Sequence, residues 1–236
     1  MGQKKLIRFA EIAEFRNVLQ YPQAIKGKWF GHFHNNHPLT LELACGKGEY
    51  TVGLATMHPE RNFIGVDLKG NRIWVGAKKA LANQLDNVAF LRTHIDKITD
   101  YFEPGEVSEI WITFPDPQLR VSHAKKRLTH PKYLRHYQKI LAPGGKIHLK
   151  TDSPNLYNFT LTVLNMFNCT IHTAWDDVYS RPDRMAELDI KTHYEGLDIA
   201  GSNRIHYICF SLPHDTLPPK DMELKELLKS EQAANN

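Results

Sequence analysis

Three short stretches of this chain carry residue types that could do chemistry. The first, Glu42-Leu43-Ala44-Cys45-Gly46-Lys47-Gly48, sets a carboxylate inside an apolar run and ends in a glycine turn. Glycine accepts positive φ and lets a ligand approach the backbone closely. The second is Asp67, 21 residues after Gly46, closing the run Asn62-Phe63-Ile64-Gly65-Val66. A carboxylate there can accept both hydrogen bonds of a ribose diol, which makes the pair a nucleoside site at the carboxyl end of two strands. The simpler alternative is a tight turn beside an unrelated strand-end acid. The third stretch is Phe114-Pro115-Asp116-Pro117. Its two prolines fix φ and bias their predecessors toward extended shapes, so Asp116 is held with little freedom. That suits acceptor chemistry, although an aspartate capping a Pro-rich turn would read the same way.

The nucleoside ligand can be narrowed. A nicotinamide dinucleotide and S-adenosylmethionine both fit a glycine turn followed by a strand-end acid. The third glycine of the dinucleotide fingerprint is missing here, Thr51 standing in its place. S-adenosylmethionine has no pyrophosphate to seat on a helix N-terminus, so it does not need that glycine. Glu42 would be costly to bury inside a strand without a partner, and a sulfonium with its ammonium group supplies one. The expected cofactor is therefore S-adenosylmethionine, with Glu42, Gly46, Gly48 and Asp67 around it. A nicotinamide-dependent dehydrogenase is the competing enzyme class.

Charge is unevenly distributed. The 236 residues hold 30 Lys and Arg against 26 Asp and Glu, a net of +4. Between Pro117 and Thr151 lie nine basic residues and no acidic one, so the remainder of the chain is at −5. The run Ser122-His123-Ala124-Lys125-Lys126-Arg127 begins just beyond Asp116. A fixed carboxylate beside a cationic run suits a polyanionic substrate whose phosphates position it while the pocket reads one base.

These residues need a frame that holds them together. Apolar β-rich runs alternate with helical patterns, as in parallel βαβ units. Strands are expected at Leu39 to Ala44, Asn62 to Asp67, Val88 to Leu91, Glu109 to Phe114, Lys146 to Thr151, Thr170 to Trp175 and Arg204 to Leu212. Helices are expected after Gly48, from Gly70 to Leu85, from Pro131 to Leu141 before the Pro143-Gly144-Gly145 stop, and from Asn155 to Phe167. The result is an α/β fold, a doubly wound and mostly parallel seven-stranded sheet with helices on both faces. It occupies residues 38–212, between an N-terminal segment (1–37) and a peripheral C-terminal tail (213–236). Trp74 and Trp111 are expected in the core.

The first two stretches resemble the cofactor motifs of class I methyltransferases, whose sheet has seven strands with the last one reversed. That resemblance implies Glu42 and Asp67 as cofactor ligands and puts His94 at the position, after the third strand, that usually holds the adenine through an acid. Phe114-Pro115-Asp116-Pro117, the basic run, Lys150-Thr151-Asp152 and Thr192-His193-Tyr194-Glu195 occur in the order found in bacterial single-chain tRNA (guanine-N7-)-methyltransferases. The sequence departs from that pattern at Gln118, Leu119 and Arg120, where Trp and Lys are common, and at Tyr194, where Phe is. The resemblance implies methyl transfer to guanosine N7 in tRNA, at the variable loop. Asp116 would be catalytic and touch the cofactor. Arg120, Lys125, Lys126, Arg127, Asp152, Thr192 and Glu195 would contact the RNA. Asp152-Ser153-Pro154 reads equally well as a helix N-cap. An RNA-binding protein without catalysis, on the same fold, is a further alternative that His94 keeps open.

Other function classes are excluded. No run of ~18 apolar residues is present to form a membrane helix. No apolar h-region follows the basic start, so a secretory signal is not expected. Cys45, Cys169 and Cys209 are too scattered for a disulfide framework or a zinc pair. His32, His34 and His37 have no nearby acidic or cysteine partner, and sulfonium chemistry requires no metal, so none is expected. The expectation is a cytoplasmic enzyme of unspecified oligomeric state.

Overall fold

The computed structural model describes residues 2–197 and 199–234, and eight strands form its single sheet. In chain order these are β1 (Val18–Gln20), β2 (Leu39–Leu43), β3 (Asn62–Asp67), β4 (Val88–Arg92), β5 (Val107–Thr113), β6 (Leu141–Thr151), β7 (Thr170–Trp175) and β8 (His206–Ser211). Across the sheet they run β1-β4-β3-β2-β5-β6-β8-β7. Pairing is parallel from β1 to β6, and β8 is antiparallel to both β6 and β7. The sequence predicts seven of these strands. The eighth, β1, pairs only with β4 at the sheet edge, and three residues are too few to show a period. Strand β6 also starts earlier than expected, at Leu141. Pro143-Gly144-Gly145 is absorbed at a register shift opposite Val107 and Glu109, with Gly144 at φ 75°.

Seven helices surround the sheet: α1 (Gly2–Glu14), α2 (Trp29–Phe33), α3 (Glu49–Met57), α4 (Gly70–Ala82), α5 (Pro131–Ile140), α6 (Pro154–Met166) and α7 (Asp221–Ala234). Both faces of the sheet are covered, and β2 and β3 are buried at every position rather than at alternate ones. Leu41, Ile64, Ile110 and Ile112 face α2, α5, α6 and α7, in one core with Leu134, Phe159 and Leu224. Phe63, Phe90 and Trp111 point the other way, against Tyr50 and Leu54 of α3 and Ile73 of α4. Trp74 is instead a half-buried seam residue. Its indole donates to Glu11 at 2.5 Å, and Arg8 lies 4.5 Å above the ring, so it fastens α1 to α4. No described helix is long and apolar enough to cross a membrane.

The packed core extends past residues 38 and 212. Trp29 is fully buried, stacks on Phe102 at 5.3 Å and donates to the Tyr101 carbonyl at 2.9 Å. Leu217, Leu224 and Leu228 pack in the same core as Ala124 and Leu128, so the C-terminal helix lies beneath the basic loop.

Strand register sets the site. Leu43 is level with Val66 and Ile112, and Ile112 with Leu149. The next residues therefore emerge together at the carboxyl edge: Ala44, Asp67, Thr113 and Lys150.

Because Trp29 closes the core from the N-terminal segment, Trp29→Ala should destabilise the protein by about 3–5 kcal/mol. Denaturant unfolding of the full chain would show this as a lower midpoint in one transition. An unchanged midpoint would mean the segment packs without contributing to stability.

Candidate active site

A cavity of about 550 Å³ opens at that carboxyl edge. Its floor is Ala44, Cys45 and Gly46, one wall is Thr113 to Pro117, and the far wall is Asp152, Ser153, Thr192 and Tyr194. The turn after β2 is built by conformations few residues adopt: Ala44, Gly46 and Gly48 have φ of 57°, 56° and 71°. A Cβ on Gly48 would lie 2.6 Å from the Phe90 ring, so only glycine fits there. Asp67 holds this turn open. Its Oδ2 accepts from the Gly46 amide at 2.9 Å and its Oδ1 from the Lys69 amide at 2.8 Å. A carboxylate has further lone pairs to offer, and these face the cavity Asp67 lines.

Asp67 and Ala44 also line an adjoining recess of about 220 Å³, together with Leu68, His94, Asp96 and Tyr133. His94 thus shares a recess with Asp67. Asp96 is committed elsewhere. Burial works to raise its pKa, but the Lys132 ammonium and the Tyr133 hydroxyl hold the carboxyl below its usual range.

Glu42 lies beneath the cavity rather than on its surface. Both of its oxygens are taken, Oε2 by the Thr51 amide (2.7 Å) and hydroxyl, and Oε1 by the Thr113 hydroxyl at 2.8 Å. Gly65 leaves room for this arrangement, since a Cβ there would meet the Thr51 hydroxyl at 2.8 Å. Burial pushes the Glu42 carboxyl up to about 7, against the lowering effect of the Thr51 and Thr113 donors. Glu42 does not line the cavity itself, whereas Thr113, which donates to it, does.

Asp116 is exposed on the cavity rim, its Oδ1 accepting from the Gln118 amide at 3.0 Å. The turn is strained at both ends, with Phe114 at φ 46° and Gln118 at φ 48°. Arg127 holds it in place. This guanidinium is buried, donates to the Gln118 carbonyl at 3.1 Å and to Asn155 at 2.9 Å, and lies 4.4 Å over Phe159. At 2% exposure, with Nε and Nη2 spent on these contacts, it lies within the loop rather than on the surface where the sequence expectation puts it. Arg120, Lys125 and Lys126 remain exposed beside the loop.

The second acceptor wall also differs from expectation. Ser153, not Asp152, caps α6 by accepting from the Leu156 amide at 3.3 Å, which leaves Asp152 in the cavity wall. Thr192 lines the cavity and accepts from the Glu195 amide at 3.1 Å. Glu195 turns away from it: its carboxylate meets the Lys150 ammonium at 3.0 Å and the Tyr179 hydroxyl. Sequence reasoning missed Lys69, Arg72 and Tyr194, which also line the cavity, with Arg72 5.5 Å over the Tyr194 ring. Lys69 and Arg72 follow Asp67 where the chain enters α4, whereas Tyr194 reaches the cavity only through tertiary packing, which no periodicity or spacing marks.

The comparisons agree with this geometry. Residues 36–205 match a family described as putative methyltransferases. A tRNA (guanine-N(7)-)-methyltransferase of Porphyromonas gingivalis is 47% identical over 210 residues, covering 84% of this chain and 85% of the relative. The chain belongs to the tRNA (guanine-N(7)-)-methyltransferase family. A relative of the same description from Bacteroides thetaiotaomicron is 43% identical over 235 residues, covering 95% of this chain and 92% of its own. Among solved structures, the 16S rRNA methyltransferase KamB has a TM-score of 0.62 over 84% of this chain and 99% of that one. At 13% identity that likeness is one of fold, the class I methyltransferase sheet. Family membership sets aside the dehydrogenase alternative.

Glu42 makes a stability prediction. Its folded pKa of about 7 lies above the ordinary 4.5, so the native state keeps a proton that the unfolded chain releases. Its contribution should therefore fall as pH rises from about 4.5 to about 7, by on the order of 3 kcal/mol. Denaturant unfolding at pH 5 and pH 8 should show this loss in wild type and a flatter profile in Glu42→Gln. Parallel profiles would contradict it.

Proposed function

We propose that this protein transfers a methyl group from S-adenosylmethionine to N7 of a guanosine in the variable loop of tRNA. The observation that carries the reading is one cavity with two chemically distinct ends. Asp67 and the Gly46 turn lie at one end, and Asp116, Asp152 and Thr192 at the other. The first end fits the cofactor: a strand-end carboxylate for the ribose diol, a backbone turn without Cβ crowding, and the His94 recess beside it for the adenine. When bound, S-adenosylmethionine supplies an electrophilic methyl group, and its transfer moves positive charge onto the purine.

The protein's part follows from the acceptor's chemistry. Guanine N7 already presents a lone pair on the major-groove edge, so no proton has to leave before attack. Asp116, fixed between two prolines and carrying negative charge at the rim, orients the base and stabilises the charge that develops on it. Asp152 and Thr192 hold the other side of the base. Arg120, Lys125 and Lys126 take flanking phosphates, which position the RNA without reading its sequence. The methyltransferase unit is residues 38–212, braced by the segments on either side, and it works in the cytoplasm.

Incubating the purified chain with labelled S-adenosylmethionine and unmodified tRNA, followed by nucleoside analysis, should yield 7-methylguanosine. Asp116→Asn should retain measurable activity with a nearly flat pH profile. Cofactor binding without any 7-methylguanosine would favour a non-catalytic RNA-binding protein. A wild-type rate rising tenfold per pH unit through a carboxylate titration would make Asp116 a general base instead.

A further inference from the structure

Lys150 is the last but one residue of β6, and its side chain has no solvent exposure. Burial of a lone ammonium is prohibitive unless each donor is used. Its Nζ donates to the Leu188 carbonyl at 2.8 Å, the Ile190 carbonyl at 3.0 Å and Glu195 Oε2 at 3.0 Å. All three acceptors belong to one loop, residues 186–195, which has little regular structure beyond two short 3₁₀ turns. Between those attachment points the loop presents Thr192 and Tyr194 to the cavity. The Lys150 backbone carbonyl, meanwhile, accepts from the Phe114 amide at 2.8 Å, where the strained Asp116 turn begins. One residue thus touches both walls between which the acceptor base must lie, without lining the cavity itself.

We propose that Lys150 is a positioning residue for methyl transfer, holding loop 186–195 so that Thr192 and Tyr194 form the acceptor wall. Glu195 belongs to this device: it acts by pairing with Lys150 and Tyr179, not by touching the guanine. The proposal rests on the methyltransferase reading and adds to it a division of labour. The cofactor end is built on Asp67 and Gly46, which the loop touches only through the Tyr194 ring beside Gly46 and Arg72, whereas the acceptor wall is made of the loop itself.

The test uses Lys150→Met, Glu195→Leu and the double variant Lys150→Met/Glu195→Leu in the full chain. The double variant removes both buried charges together and so spares the fold from an unpaired one. Each should bind S-adenosylhomocysteine, measured calorimetrically, within a few-fold of wild type. Each should lose about 100-fold or more in kcat/KM for tRNA, as expected when reacting groups are misplaced by about 1 Å. The losses should be non-additive, because the two residues act as one unit. Trypsin should cut Lys150→Met faster than wild type at Lys191 and Arg184, which directly reports a loosened loop. Wild-type kcat/KM in Lys150→Met would overturn the proposal. So would a double-variant loss equal to the product of the single losses, which would mean Glu195 meets the base independently. If wild type itself made no 7-methylguanosine, the methyltransferase reading would fall, while the proteolysis arm would still decide the loop's attachment.

Discussion

A charge taken out of water must find its full set of partners inside the protein. The carboxyl edge of this sheet buries three ionisable groups, Glu42, Asp67 and Lys150, and the architecture of the cavity is largely the way they are satisfied. Asp67 draws in the Gly46 and Lys69 amides, which shapes the turn after β2 and the start of α4. Glu42 draws in Thr51 and Thr113, tying α3 to β5 beneath the floor. Lys150 draws in the loop between β7 and β8. Because β2, β3, β5 and β6 end level with one another, these demands converge on one cavity.

On the reading proposed above, that convergence divides the cavity by function. The cofactor end is made from turns that follow β2 and β3 directly, where few residues separate each ligand from a rigid strand. The acceptor end is made from the strained turn at Asp116 and from a loop that crosses back from the far side of the sheet. It needs two clamps from outside the cavity, Arg127 on the first and Lys150 on the second. Sites on loops are only as well placed as the residues that support them, so the clamps carry as much of the geometry as the lining does.

The sequence was most legible where local rules act. Strands β3 and β7 match their expected limits, and the glycine turn, Asp67 and the Asp116 turn all reach the cavity. Charge was less legible. Nine basic residues without an acid between them suggest a directed cationic surface, yet Lys132 pairs with Asp96, Arg135 with Asp221 and Lys150 with Glu195, and Arg127 is buried. Each of these partners is distant in sequence, so no local count can find it. One signal was present nonetheless. A lysine ending the apolar run Ile147-His148-Leu149 raises the same question as Glu42 inside β2, namely what pays for its burial. The three-residue β1 and the cavity role of Tyr194 have no comparable mark.

The central claim is that cofactor and acceptor share this cavity, with the transferring centre between the Gly46 turn and Asp116. A crystal structure of the protein with S-adenosylhomocysteine tests it most directly. The account predicts the ribose hydroxyls within about 3 Å of the Asp67 carboxylate, the adenine in the recess beside His94, and the sulfur facing Asp116. A cofactor bound with its ribose away from Asp67, or with its sulfur turned from the Asp116 turn, would contradict it.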